Sequence, residues 1–310
     1  MIRFFSGRFA LFSILVGALV FSLSLTPALA ASKAEVESLY SRWLEQDLWP
    51  EARGKGVSRK TFDAALKGSS LNWKLPDLAP PGFPKPKQRD QSQAEFRSPG
   101  AYFAQDRLQG LAASGRALNA KYASTLKSIE AKWGVPAGII LAIWGRESGF
   151  GRAKIPHSAF DVLTTKAFMS TRAPLFRKEL LAALQIVERG HVTPAQMKSS
   201  WAGAMGQPQF LPTSYLEYAV DFDGDGRADI WNSVPDTLAS IANYLSKKGW
   251  VRGRDWGFEA VIPQGVTCAL EGPDRARSIA DWTKSGIIRI TGRAFPESER
   301  NQSGMVLVPA

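Results

Sequence analysis

Cysteine is almost absent from this chain. The single thiol, Cys268, excludes an internal disulfide and a cysteine-based zinc site; a lone cysteine of this kind reads as a small buried hydrophobe. Acidic residues are in deficit, 28 against 39 lysines and arginines, which leaves a formal net charge of +11. Those basic residues form no dense block, so nucleic acid is a poor partner. There is no internal repeat, which excludes a repeat architecture. No thiol lies near the N-terminus, so a lipid-anchored protein is not expected.

The N-terminus has the features of an export signal. Arg3 and Arg8 form a basic start, residues 9–25 are an apolar run, and Ala28-Leu29-Ala30 offers a cleavage site after Ala30. An uncleaved anchor is the alternative. Cleavage would remove two arginines and no acid, lowering the net charge from +11 to +9. A basic exported protein is drawn to anionic wall polymer or to a membrane surface. With the leader removed, no membrane span is expected.

Glu147 is the most informative residue in the remainder. It ends the stretch Pro136-Ala137-Gly138-Ile139-Ile140-Leu141-Ala142-Ile143-Trp144-Gly145-Arg146-Glu147 and is followed by Ser148-Gly149-Phe150-Gly151. Pro136 suits a first helical turn, and Ile140, Ile143, Trp144 and Glu147 recur at helical spacing on one face. A carboxyl on an apolar helix face resists ionisation and can serve as a general acid near neutral pH. The glycines at 149 and 151 are expected to end the helix and permit close approach.

The rest reads as mainly helical. Residues 34–68 carry Trp43, Leu44, Leu48, Phe62 and Leu66 at roughly helical spacings. Five prolines between 75 and 86 then enforce an extended connector. Helical pattern returns at 102–110 and 117–133. A stripe of Phe176, Leu180, Leu184 and Val187, stopped by Gly190, predicts an amphipathic helix over 176–187. Another helix is expected over 234–248. Beyond Trp250 the pattern shifts to short strand-like pieces at 258–262 and 287–290.

Two further segments carry chemistry. In residues 221–232, Asp221, Asp223, Asp225 and Asp229 alternate with turn residues, Gly226 allows a sharp turn, and the Arg227 carbonyl falls at the seventh position. That order of oxygen donors is what a calcium loop requires, and a cation relieves the repulsion of four close carboxylates. Position twelve holds Asn232 instead of the usual glutamate, and Asp236 is available to replace it. Residues 199–212 supply Ser200, Gln207 and Gln209 among glycines and aromatics. Neutral amides and hydroxyls suit a sugar polymer, which presents hydroxyl edges and apolar faces.

Taken together, Glu147-Ser148-x-x-Gly151, Trp201-Ala202-Gly203-Ala204-Met205-Gly206-x-x-Gln209-Phe210, the acidic loop and Ala242-Asn243-Tyr244 stand in an order that resembles the lytic murein transglycosylases of the membrane-bound lytic transglycosylase B type. Gln93-Ala94-Glu95-Phe96 adds a further similar segment. The resemblance implies a mainly α fold: a lysozyme-like helical catalytic domain at 116–255, an N-terminal helical region with its connector at 31–115, and a small β-containing part at 256–310. It implies a periplasmic enzyme acting on peptidoglycan glycan strands. Glu147 would be its single acid and base, and Ser148, Ser200, Gln207, Gln209 and Tyr244 its substrate-binding residues. It also implies a structural Ca2+ in an EF-hand-like loop at 221–236, held by Asp221, Asp223, Asp225, Arg227, Asp229 and Asp236.

Ordinary glycosidases use two carboxylates, whereas the Glu147 motif holds one. In the implied reaction the substrate's own 6-hydroxyl closes a 1,6-anhydro ring, so no second carboxylate is required. A hydrolytic muramidase of the same fold and a non-catalytic wall-binding protein are the competing readings. Pro156 and His157 depart from the family pattern after the Glu147 motif, and His157 reads as a surface histidine. The family generally continues past the apolar residues 305–310 with an Asn/Tyr-containing groove segment, so a truncated or reduced C-terminal wall is expected.

Overall fold

A computed structural model describes residues 32–84 and 104–307, apart from the side chains of residues 268 and 273. The expected export signal, the Gln93–Phe96 segment and the side chain of Cys268 lie outside what is described.

The chain begins with helix α1 (Lys33–Trp43), which passes through a π turn (Leu44–Leu48) into α2 (Trp49–Gly54) and then α3 (Arg59–Leu66). Ser32 caps α1 in a reciprocal pair with Glu35, satisfying donors that the first turn leaves free. Val36, Tyr40, Leu48, Phe62 and Leu66 are buried, so the sequence stripe is interrupted by turns but faces inward. The proline-rich segment up to residue 84 is non-helical. It lies along the end of a later helix, with the Ala79 amide donating to the Met169 carbonyl (2.6 Å) and the Thr171 amide to the Asp77 carbonyl (3.0 Å).

Helices α4 (Gln105–Lys121), α5 (Ala123–Trp133) and α6 (Ala137–Ser148) follow. The expected start at residue 102 falls outside the described residues. Helix α4 runs unbroken across the 115/116 boundary read from the sequence, so that boundary does not coincide with a break in the chain's structure. Next come α7 (Ala159–Met169), α8 (Ala173–Glu188), α9 (Pro212–Tyr218) and α10 (Val234–Lys247). Helix α8 carries the anticipated stripe, with Phe176, Leu180 and Leu184 buried, and packs against α7, α9 and α3. Its core also takes in Met205, Phe210, Tyr215 and Ile230. A second core joins Leu126 and Ile129 of α5, Ile140, Leu141 and Trp144 of α6, and Leu238 and Ile241 of α10. Helix α6 thus packs in this second core, and the Trp144 indole at its C-terminal half reaches Gln207 in the segment that borders the first.

Strands among the described residues are two residues long. β1 (His157–Ser158) pairs antiparallel with β2 (Lys198–Ser199), joining the segment after α6 to the segment before Ser200. In the C-terminal part β3 (Ala260–Val261) pairs with β5 (Ile288–Arg289), and β4 (Arg277–Ser278) with β6 (Ser303–Gly304). The strand-like pieces at 258–262 and 287–290 therefore meet, as short pairs and not as a sheet. Short helix α11 (Ile279–Lys284) buries Trp282, whose indole N–H donates to the Gly304 carbonyl (2.8 Å). No helix among the described residues is long and apolar enough to cross a membrane.

Candidate active site

Glu147 occupies the last turn of α6. The stripe that predicted its face holds up to Trp144: Ile140 and Trp144 are buried and Ile143 half-buried, whereas Glu147 itself is exposed, one turn beyond the buried part of that face. Enough protein surrounds the carboxyl that burial pushes its pKa above the ordinary value, with the Arg146 guanidinium pulling the other way. No carboxylate contributes to that shift. Among the described residues no hydrogen bond holds the Glu147 carboxyl. An acid that is partly desolvated and unengaged favours its neutral form and is free to donate outward.

The turn after Glu147 is fixed by its neighbours. Gly149 ends α6 in the left-handed region, its amide donating to the Gly145 carbonyl (3.0 Å). Ser148 is buried and faces inward: its hydroxyl donates to the Trp144 carbonyl (3.3 Å) and accepts from the Gly151 amide (3.0 Å). It staples the turn. Phe150 takes a positive φ of 62° and folds its ring over Gly145, where an added Cβ would lie 2.7 Å from the ring. Such backbone strain in a bulky residue persists only where the surroundings enforce it.

Facing this turn is the hairpin-like segment 199–210, tied by isolated bridges of Met205 with Ser199 and with Phe210. Ser200 accepts at its hydroxyl from the amides of Ala202 (3.3 Å) and Ala204 (3.2 Å), so it shapes the turn while remaining half-buried. Gln209 is also half-buried, sits at a positive φ of 53°, and donates its amide to the Gly206 carbonyl (2.9 Å). Its carbonyl oxygen makes no hydrogen bond among the described residues. Tyr244, on α10, packs its ring on Phe210 and edge-on to Tyr218, at centroid distances of 5.6 Å and 4.9 Å. Direct bonds from Ser200, Gln209 or Tyr244 to Glu147 are not present.

Gln207 does not share their partial exposure. It is buried, and its amide is engaged at both ends: its Oε1 accepts from the Trp144 indole (2.8 Å) and its Nε2 donates to the Trp231 carbonyl (3.0 Å). Gly151 explains itself against this side chain, because a Cβ there would lie 2.4 Å from Gln207 Oε1. Gly206 has a similar reason, since its Cβ would lie 2.7 Å from the Ile230 carbonyl oxygen. The two motifs thus interlock through their glycines.

The acidic loop divides its carboxylates. Asp221, Asp223 and Asp236 each bring an oxygen within 4.8 Å of the others. Asp236, at the start of α10, is wholly buried and accepts from the amides of Phe222 (2.8 Å), Asp223 (3.3 Å) and Asp229 (2.8 Å). Burial pushes its pKa up, against the lowering effect of these amides. Asp225 instead turns to the Arg227 amide (2.8 Å), and Asp229 to the amides of Trp231 and Asn232 (both 2.9 Å). Asn232 donates its own side-chain amide to Asp229 (3.0 Å), which directs it away from the trio. The carboxylates that converge are therefore those at loop positions one and three with the late Asp236. Three hard, anionic oxygen donors in one place fit a divalent cation of the calcium type.

One feature escaped the sequence reading. Lys166 on α7 is fully buried, its ammonium donating to the Pro76 carbonyl (3.2 Å) with the rings of Phe176 (4.9 Å) and Trp201 (4.8 Å) beside it. Burial lowers its pKa. Nothing in the pattern of residues 159–169 marks a lysine for the interior. His157 is half-buried in β1 and not on the open surface as expected.

A family model described as a transglycosylase SLT domain matches residues 40–310. The membrane-bound lytic murein transglycosylase B of Escherichia coli strain K12 is 40% identical over 134 residues, which are 43% of this chain and 37% of that protein. The match thus spans little more than a third of that relative's length. The crystal structure of SltB3 from Pseudomonas aeruginosa in complex with NAG-NAM-pentapeptide superposes with a TM-score of 0.74 at 32% identity, covering 87% of this chain and 70% of that one. The Escherichia coli lytic transglycosylase Slt35 in complex with calcium shares the fold, with a TM-score of 0.63 at 24% identity over 88% of this chain and 79% of that one.

Proposed function

From the premise that this chain belongs to the transglycosylase SLT domain family, we propose that it cleaves the β-1,4 bond between N-acetylmuramic acid and N-acetylglucosamine in peptidoglycan without water, using Glu147 as acid and then base. The observation that carries this reading is the state of Glu147: a partly desolvated carboxyl, raised in pKa, held by no hydrogen bond among the described residues and shifted by no other carboxylate. A two-carboxylate glycosidase mechanism needs a second carboxylate near the first, and among the described residues none is close enough to shift Glu147.

The steps balance with one residue. Neutral Glu147 gives its proton to the glycosidic oxygen as the bond to the muramic acid anomeric carbon breaks. The substrate's N-acetyl group stabilises the positive charge that develops on that carbon. The Glu147 carboxylate then takes the proton of the muramic acid 6-hydroxyl, whose oxygen bonds to the anomeric carbon and closes the 1,6-anhydro ring. Ser200, Gln209 and Tyr244, all half-buried, supply hydroxyl, amide and ring surface for the sugars. Binding of glycan fragments by SltB3 supports glycan strands as the partner.

The acidic loop is proposed to hold Ca2+ as a brace, with Asp221, Asp223 and Asp236 as its core and Asp225, Asp229 and the Arg227 carbonyl completing the shell. The convergence of three carboxylates supports it, as does the calcium in Slt35. The cation supplies rigidity; no proton step uses it. Export to the periplasm, with cleavage after Ala30, belongs to the same proposal, as does a small β-containing part at 256–310.

Digestion of purified sacculi followed by mass spectrometry tests the activity. Products with 1,6-anhydro ends, lighter by one water than reducing ends, are expected. Reducing ends alone would make the protein a hydrolase. Glu147→Gln should bind sacculi and leave them intact; equal lysis by that variant would remove Glu147 from the mechanism.

A further inference from the structure

Gln207 stands at a junction between the acidic loop and the helix that carries Glu147. Two of its bonds run to the loop: its backbone amide donates to the Ile230 carbonyl (2.9 Å) and its side-chain Nε2 to the Trp231 carbonyl (3.0 Å). The third, from the Trp144 indole to Oε1 (2.8 Å), runs to α6. The loop end is itself anchored, since the Trp231 indole donates to the Lys198 carbonyl (3.1 Å) and the Ile230 carbonyl accepts from the Thr237 hydroxyl (3.2 Å). Trp144 is buried and sits edge-on to Phe150 at 5.4 Å, three residues before Glu147 on the same helix.

We infer that Gln207 is a positioning residue for the reaction: by holding the Trp144 indole it fixes the rotation of α6, and with it the direction in which Glu147 presents its carboxyl. The inference rests on the reading of Glu147 as proton donor. The lever is short. A side-chain tip stands about 6 Å from a helix axis, so a turn of about 10° moves it by about 1 Å, and a misplacement of that size costs about a hundredfold in rate. Van der Waals packing around a flat indole resists sliding weakly in the ring plane, whereas a hydrogen bond to the ring N–H is directional. Gly151, which leaves the space against Oε1, is part of the same fitting.

The test uses Gln207→Met, which keeps the length of the side chain and loses both side-chain bonds, and Trp144→Phe, which keeps a ring and loses the N–H. Each is measured on peptidoglycan well below its melting temperature, with rates normalised to folded protein. The expected result is a fall in kcat of about ten- to a hundredfold with KM within about twofold. The double variant should be no slower than the worse single one, because both changes break one bond. In 15N-labelled protein the indole resonance missing from Trp144→Phe should shift upfield in Gln207→Met, and the alkaline limb of the pH profile should move down as Glu147 becomes better hydrated. Should Gln207→Met fail to fold, Trp144→Phe alone carries the rate and pH measurements. Lower melting temperatures with unchanged kcat and an unmoved pH limb overturn the inference. So do additive losses in the double variant. A Glu147→Gln control separates the two ideas: full activity there sinks the assignment of Glu147, whereas an inactive Glu147→Gln beside fully active Gln207 and Trp144 variants sinks only the role of Gln207.

Discussion

A carboxyl acts as an acid only while it keeps its proton, and for Glu147 burial extends that range upward. The sign follows directly. Turnover that needs neutral Glu147 falls as pH rises through its raised pKa, so kcat/KM should decline on the alkaline side above the usual carboxylate range. In Glu147→Asp, whose shorter side chain places the carboxyl differently against the surrounding protein, that limb should move down; a full pH–rate profile of each protein reads the difference. Stability carries the opposite cost. Between the ordinary carboxylate pKa and the raised one, the folded chain holds a proton that the unfolded chain has released, so this residue's contribution is lost as pH rises through that window. Glu147→Gln should accordingly melt higher than the parent at neutral pH while failing to lyse sacculi. Equal or lower melting temperature would mean that the carboxyl is well solvated. At this scale the sequence reading picks out Glu147 as the candidate acid, and the structure raises its pKa by burial. That reading missed that Ser148 and Gln207 are turned into the protein, because a polar side chain in a motif looks the same whether its partner is a ligand or a buried amide.

Elements were legible where a periodic stripe is long. Helix α8 is sixteen residues long, and its stripe from Phe176 to Val187 places it within three residues at its N-terminal end. Helix α4 is anticipated only at its two ends, over 105–110 and 117–121, since none of its residues is buried and the apolar pattern of its middle is weak. The two-residue strands β1 and β2 have no signature of their own; their pairing is decided by the close approach of the segments that they join. The interlock of the motif glycines gives a prediction at this scale. Gly151 has a φ of 75° and would place a Cβ 2.4 Å from Gln207 Oε1. Gly151→Ala should therefore cost about 1–3 kcal/mol in urea unfolding. It should also lower kcat, since the added methyl pushes Gln207 off Trp144. A neutral effect on both would show that the turn relaxes freely.

For the whole molecule, the late carboxylate joins parts that lie far apart in the chain's local logic. Asp236 belongs to α10, faces the acidic loop, and accepts from three loop amides. Asp236→Asn should lose about 1–3 kcal/mol through weakened acceptors for buried donors alone. It should also abolish any rise of melting temperature with added calcium. In the parent protein, chelation should lower the melting temperature and calcium should restore it; no shift in either direction would discard the cation. Because the loop end also anchors Gln207, its rigidity bears on α6 as well as on local folding.

The sequence by itself determined which residues can act. The order of the motifs, the glutamate at the end of an apolar helix, the alternating aspartates and the stripe of α8 all follow from local spacing, because one element's periodicity dictates which side chains share a face. Only the tertiary structure decided which of those side chains point at one another. Asp236 converges with Asp221 and Asp223, while Asp225 and Asp229 satisfy backbone amides of their own loop. Gln207 closes on Trp144 across 63 residues of sequence. A buried polar group must find a partner wherever the packed elements bring one within reach, and that choice is made between elements, where local periodicity carries no information.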